Sequence, residues 1–221
     1  MKERFQDRLF AAFGVLSIAL ALGAVAIGSI GENTRMITIS SSRAEVAAAI
    51  AHPAGTATWV AAYIELLSFG LFLAFAMWAC AKLGEGVLAR IASGAAIGYT
   101  TLSIASLGVL DAIAYRSGKG MGVDLATTLV AINEALFVGT WFFAVFFLLA
   151  AGPLALAGGR RALGLSAVAI AAIILVGAAA SLDNAGQLAF MLWMIWVVYA
   201  SAALSRRRER RPDIAAATQH A

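Results

Sequence analysis

The chain alternates long apolar runs with short polar interruptions. Six runs, at about 9–30, 57–82, 91–114, 125–151, 163–183 and 185–204, are nearly free of charge. A helix needs about 20 mostly apolar residues to cross a hydrocarbon core roughly 30 Å thick, and each run is about that long or longer. Lipid offers no partners for backbone N–H and C=O groups, so membrane spans are helices or closed barrels. Barrel strands alternate apolar and polar residues with period two, whereas these runs are continuously apolar. The pattern therefore predicts an all-α polytopic membrane protein, a six-transmembrane-helix bundle over residues 9–204. Residues 1–8 form an N-terminal segment, and 205–221 a basic tail expected to be disordered.

The longest interruption is an outer loop over about 31–56, "GENTRMITISSSRAEVAAAIAHPAG". Ser42 followed three residues later by Glu45 has the spacing of a capping box, so a short helix on the membrane surface is expected there. Pro53 and Gly55 break the chain before the second span. The loop reads either as a lid over an outer cavity or as a plain connector.

Composition supports the membrane reading. The 221 residues are 62% hydrophobic and 13% charged, against about 25% charged in soluble domains, and the mean hydropathy is +0.89. The spans use most of the chain and leave no room for a separate soluble domain. The apolar run after "MKERFQDRLF" is longer than the 7–15 residues typical of a signal-peptide core, so it is read as a retained first span.

Charge gives orientation. Lys2, Arg4 and Arg8, then Lys82 and Arg90, then Arg160 and Arg161, and finally Arg206, Arg207, Arg208, Arg210 and Arg211 fall on one side. Arg35, Arg43, Arg116 and Lys119 fall on the other. Positive residues concentrate in cytoplasmic segments, which puts both termini in the cytoplasm and the 31–56 loop outside. The net charge of +4 comes largely from the tail. The tail arginines read either as a stop-transfer anchor or as a patch for anionic lipid, worth about 1 kcal/mol per basic residue near the surface. No basic surface interleaved with aromatics is present, so nucleic acid is not an expected partner.

The single cysteine, Cys80, excludes an intrachain disulfide and a cysteine–histidine zinc cluster, and is read as a packing residue. The two histidines, His52 and His220, lie outside the spans, which argues against a haem or histidine-metal site within the helices. It also leaves the many serines without an activating base. No nucleophile–base pair stands out, and neither an enzyme activity nor a cofactor is expected.

The informative residues are acids inside apolar runs. Glu65 interrupts "AAYIELLSFGLFLAFAMWA" and Glu134 interrupts "ATTLVAINEALFVGTWFF". Laying Glu134 on Glu65 without gaps pairs Thr58 with Thr127, Ala62 with Ala131, Leu67 with Leu136 and Gly70 with Gly139. A threonine seven residues before each acid shares its helix face, since seven residues are close to two turns. Each following span carries an acid near its outer end, Asp111 in "GVLDA" and Asp183 in "ASLDN". Spans two and three thus resemble spans four and five, as an ancient hairpin duplication would. These four acids, with Asn133, Asn184 and Gln187, crowd the outer half of the membrane and predict a polar cavity opening outward.

An ionisable residue at mid-membrane costs about 2.5–3.5 kcal/mol even on insertion scales. No lysine or arginine lies in the middle of a span to offset it. Two readings stay open. The carboxyls, with Thr58, Thr127 and Asn133 as neighbours and Asp111 and Asp183 nearer the interface, bind a proton, a cation or a small amine. Alternatively they are protonated and hydrogen-bond across helix pairs as structural glue, at roughly 0.6–2 kcal/mol each. Asp111 and Asp183 also read as solvated helix-end residues.

The order of parts resembles a family of bacterial six-helix membrane proteins known as domain of unknown function 4386. The shared features are an apolar first helix and a long outer loop holding a short helix. A second helix has an early polar residue, and a fourth, "ALFVGTWFFAVFFLLAAGPLALAGG", runs into a small-residue fifth. The resemblance covers most of residues 9–204. It implies the fold and a bacterial inner-membrane setting, and it supplies no activity.

Overall fold

The computed structural model describes residues 2–29, 37–179 and 185–206, with side chains at 4–29, 37–177 and 188–206. Asp183, Asn184, the Gln187 side chain and Arg207, Arg208, Arg210 and Arg211 lie outside the described residues. The chain forms seven helices within these limits: α1 (Lys2–Gly28), α2 (Arg43–Ile50), α3 (Thr56–Leu83), α4 (Val87–Arg116), α5 (Val123–Ala157), α6 (Arg161–Ala179) and α7 (Ala185–Ser205). No strand occurs among the described residues. Five helices, α1, α3, α4, α5 and α7, are long and apolar enough to cross a membrane, and α6 is a shorter apolar helix.

The helices outrun the apolar runs that predict them. A helix continues until its backbone meets a stop, not until its side chains turn polar. The stop after α3 is Gly84, at φ +151°, and α5 continues past Pro153 to Ala157. With 35 residues, α5 is roughly 52 Å long at 1.5 Å per residue, far beyond a hydrocarbon core of about 30 Å.

The long helices close into a ring in chain order. α1 packs on α3, α3 on α4, α4 on α5, α5 on α6, α6 on α7, and α7 returns to α1. Short connections make neighbours antiparallel. Asp7, early in α1, accordingly meets the end of α3, accepting from Trp78 Nε1 at 3.1 Å and pairing with Lys82 Nζ at 2.8 Å. Where α5 and α6 cross, the backbones touch through Gly152 and Gly164, since a Cβ on Gly164 would lie 2.7 Å from the Gly152 carbonyl oxygen. Aromatic rings fill the ring's interior. Phe72, Phe75, Phe147, Trp193 and Trp196 are all buried, and Trp193 stands between Phe72 at 5.4 Å and Phe147 at 5.7 Å.

The capping box at α2 is present. Ser42 Oγ accepts from the Glu45 amide, and Glu45 Oε2 accepts from the Ser42 amide at 2.6 Å. The helix docks onto the bundle end, on α4 and α5, with Val46, Ala49 and Ile50 buried against Ile113, Ala126 and Val130. Arg43 also pairs with Asp124, but both side chains are exposed and such pairs contribute little. Burying Val46 and Ile50, at about 1.5–3 kcal/mol each, holds the helix down. The Gly118 amide bonds the Ile50 carbonyl at 2.9 Å. Gly118 has φ +68°, and a Cβ there would strike the Pro53 nitrogen at 2.4 Å.

A pH dependence follows from this cap. The Ser42 amide, and secondarily its hydroxyl, hold the Glu45 carboxyl below its usual range. Its contribution is complete above the ordinary carboxylate pKa and is lost as pH falls through the lowered folded value. Amide protection factors across Arg43–Ile50, corrected for the intrinsic exchange rate at each pH, should therefore fall on acidification through that window. In Glu45→Gln this step should vanish.

Candidate functional site

Two carboxylates set within long apolar helices come from different helices. Glu65 lies nine residues into α3 and Glu134 eleven into α5, roughly 14 and 16 Å from those helix starts at 1.5 Å per residue. Because α3 and α5 both pack on α4, the acids converge. They line one cavity of about 460 Å³, in the range of small-molecule sites. Both are half-buried.

The walls come from six parts of the chain. Ala21 and Val25 of α1, Glu65 and Phe69 of α3, and Phe190 of α7 form one side. Tyr99, Ser103, Ser106, Leu107 and Leu110 of α4, with Asn133, Glu134, Phe137 and Thr140 of α5, form the other. Ile37 and Thr38, from the strap that leads into α2, also line it.

The polar wall is knitted together. Ser106 Oγ donates to Asn133 Oδ1 at 2.6 Å, which leaves the Asn133 amide nitrogen as a donor. The Tyr99 hydroxyl has the Ser103 hydroxyl and the Trp193 indole as partners. The strap reaches in as well, the Ile39 amide donating to Glu134 Oε1 at 3.2 Å. This bond ties the loop to an acid 95 positions away. Residues 37–39, the described part of the loop before α2, thus touch the cavity wall.

Aromatic rings close the cavity's deep end. Tyr99 meets Phe72 at 5.1 Å and Trp193 at 5.3 Å, and Trp193 stacks on Trp196 at 6.1 Å. Below them Phe147 is fully buried. The cavity thus spans from the strap to a packed floor.

Of the residues singled out from sequence, the structure brings Glu65, Glu134 and Asn133 together. Thr58 is buried in the first turn of α3 and does not line the cavity. Thr127 is exposed and donates to its own helix, to the Val123 carbonyl at 2.9 Å. Asp111 is half-buried, next to Leu110 but not on the wall. Asp183 is outside the described residues. The gapless alignment paired threonine with threonine, but a seven-residue offset places each a full two turns nearer the helix start, away from its acid.

Ser103, Ser106, Thr38, Thr140 and the three phenylalanines were not singled out. Part of this was readable. Tyr99, Ser103 and Ser106 are spaced by four and three residues, one face of a helix, in the middle of α4. Thr38 and the Ile39 amide had no such signal, because their place depends on how the strap docks.

Among the described residues lining the cavity there is no lysine, arginine or histidine. Nor do three His, Cys, Asp or Glu side chains gather as a metal-binding group among the described residues. No protein-family model, no curated protein and no solved structure matches the chain.

Proposed function

We propose that the chain is a six-span membrane protein that binds, and in the fuller reading transports, a cation, a proton or a small amine at Glu65 and Glu134. The observation that carries this is the shared cavity, with two carboxylates on its wall and no basic side chain among the described lining residues. In this reading α6 completes the sixth span, the strap end is extracytoplasmic, both termini are cytoplasmic, and the membrane is a bacterial inner membrane. The resemblance to the six-helix bacterial family belongs to the same proposal. So does attraction of the arginine tail to anionic lipid, of which Arg206 is the one described member.

A second reading has its own support. The Ile39–Glu134 and Ser106–Asn133 bonds are what structural glue would make. The two readings differ in their response to cations. A ligand at about a hundred times its Kd stabilises the folded state by roughly 2.7 kcal/mol. In the binding reading, thermal unfolding of the purified protein should shift upward with at least one of a panel of cations. The Glu65→Gln, Glu134→Gln double variant should lose that shift. Glue predicts no cation-dependent shift in either protein, since glutamine keeps the hydrogen bonding.

A further inference from the structure

Resting on the cation-site reading, we infer that the cavity's ligand is an organic ammonium ion with an aromatic or bulky apolar body, rather than an inorganic ion. A bare ion needs a tight shell of oxygens, whereas this cavity has about 460 Å³ and, among the described residues that line it, two carboxylates. Its lining combines two kinds of group. Glu65, Glu134, Asn133 and the α4 hydroxyls gather carboxylate and neutral oxygens, which receive the N–H donors of an ammonium group. Phe69, Phe137 and Phe190 supply ring faces and apolar area on the same wall set. Rings attract a cation through their quadrupole and bury an apolar body without needing hydrogen bonds. The other described lining residues supply no positive charge to repel the ammonium or to receive a substrate carboxylate.

Glu134 is already held by the Ile39 amide. That bond uses one of its two oxygens and fixes the side chain's direction, which pre-arranges the carboxylate for a ligand on the other oxygen. The ammonium is placed at Glu134 and Glu65, and the body toward the phenylalanines.

The test is isothermal titration of the full chain in lipid nanodiscs at neutral pH with five probes. These are phenethylamine, its uncharged isostere phenethyl alcohol, methylammonium, sodium and calcium. Phenethylamine should bind roughly tenfold or more tightly than phenethyl alcohol, the worth of a charge-assisted contact, and also more tightly than methylammonium, which has no body to bury. Glu134→Gln and Glu65→Gln should each weaken phenethylamine about tenfold while melting as the parent does without ligand. Phe137→Leu, at a partly exposed ring, should weaken phenethylamine about threefold and leave methylammonium unchanged. Glutamate-dependent binding of sodium, calcium or methylammonium at least as tight as that of phenethylamine would overturn this inference and leave the cation-site reading standing. If no probe binds, or if phenethyl alcohol binds as well as phenethylamine with no effect of either glutamine, the inference is overturned, and of the cation-site reading only its proton form stands.

Discussion

Trp193→Ala should destabilise the bundle by about 3–5 kcal/mol, the cost of deleting a large buried aromatic. Trp193 is only 2% exposed and contacts rings from three other helices: Phe72 of α3, Tyr99 of α4 and Phe147 of α5. Alanine leaves a void that neighbours on rigid helices fill only in part, and it takes a partner from the Tyr99 hydroxyl. Trp193→Phe helps separate the two causes, because it keeps most of the ring volume while losing the indole N–H. It should cost much less. Unfolding of the three proteins in detergent, titrated with a denaturing surfactant, gives the comparison. Equal stabilities for Trp193→Ala and the parent would mean that the rings are not a packed floor. The same substitution should deepen the cavity toward Trp196, and any ligand bound there should lose shape selectivity.

The second large effect is expected at the α5–α6 crossing. Gly164→Leu should destabilise by about 1–3 kcal/mol, the usual cost of overpacking, because the first added carbon already meets a backbone oxygen. A Cβ on Gly164 lies 2.7 Å from the Gly152 carbonyl and 2.6 Å from Leu156 Cγ. Leu156 can move, but the carbonyl belongs to a helix and cannot move alone. The remedy is separation of α5 from α6, which gives up the close packing that small residues provide in membranes, where dispersion and fit drive association. Gly94 is the control, because a Cβ there has nothing within 4 Å. Gly94→Ala should be neutral or slightly stabilising through helix propensity. The same unfolding titration reads both.

Helix existence was legible because it depends on local facts: lipid-length apolar runs and a backbone that must satisfy its own hydrogen bonds. The α2 cap was legible for the same reason, since Ser42 and Glu45 need only each other. Helix ends were less so. The start of α4 at Val87 and the end of α5 at Ala157 extend past the apolar runs, because the helices run until the backbone stops them, at Gly86 with φ +99° before α4 and at Gly158 and Gly159 after α5.

For the candidate site, residue type carried part of the way. A carboxylate in an apolar run is costly enough to mark Glu65 and Glu134 on sight, and Asn133 beside one of them. The threonines were chosen by periodicity, which tells which face of a helix a residue shares but not how far along that face the cavity extends. Thr58 and Thr127 share a face with the acids and sit two turns too far toward the helix starts.

The sequence by itself determined that this chain is helical, that its helices are long and apolar enough for a membrane, and that two carboxylates stand within them. Each of these follows from interactions among residues close together in the chain. Only the tertiary structure decided that the two acids face one cavity, that α4 supplies its hydroxyls, that Trp193 and Tyr99 help floor it, and that the Ile39 amide holds Glu134. These contacts join residues from several helices. Their placement depends on the rotation of each helix about its axis and on the docking of the strap, and in a nearly uniform apolar sequence small residues such as Gly152 and Gly164 help set that rotation through fit rather than through any pattern of polarity.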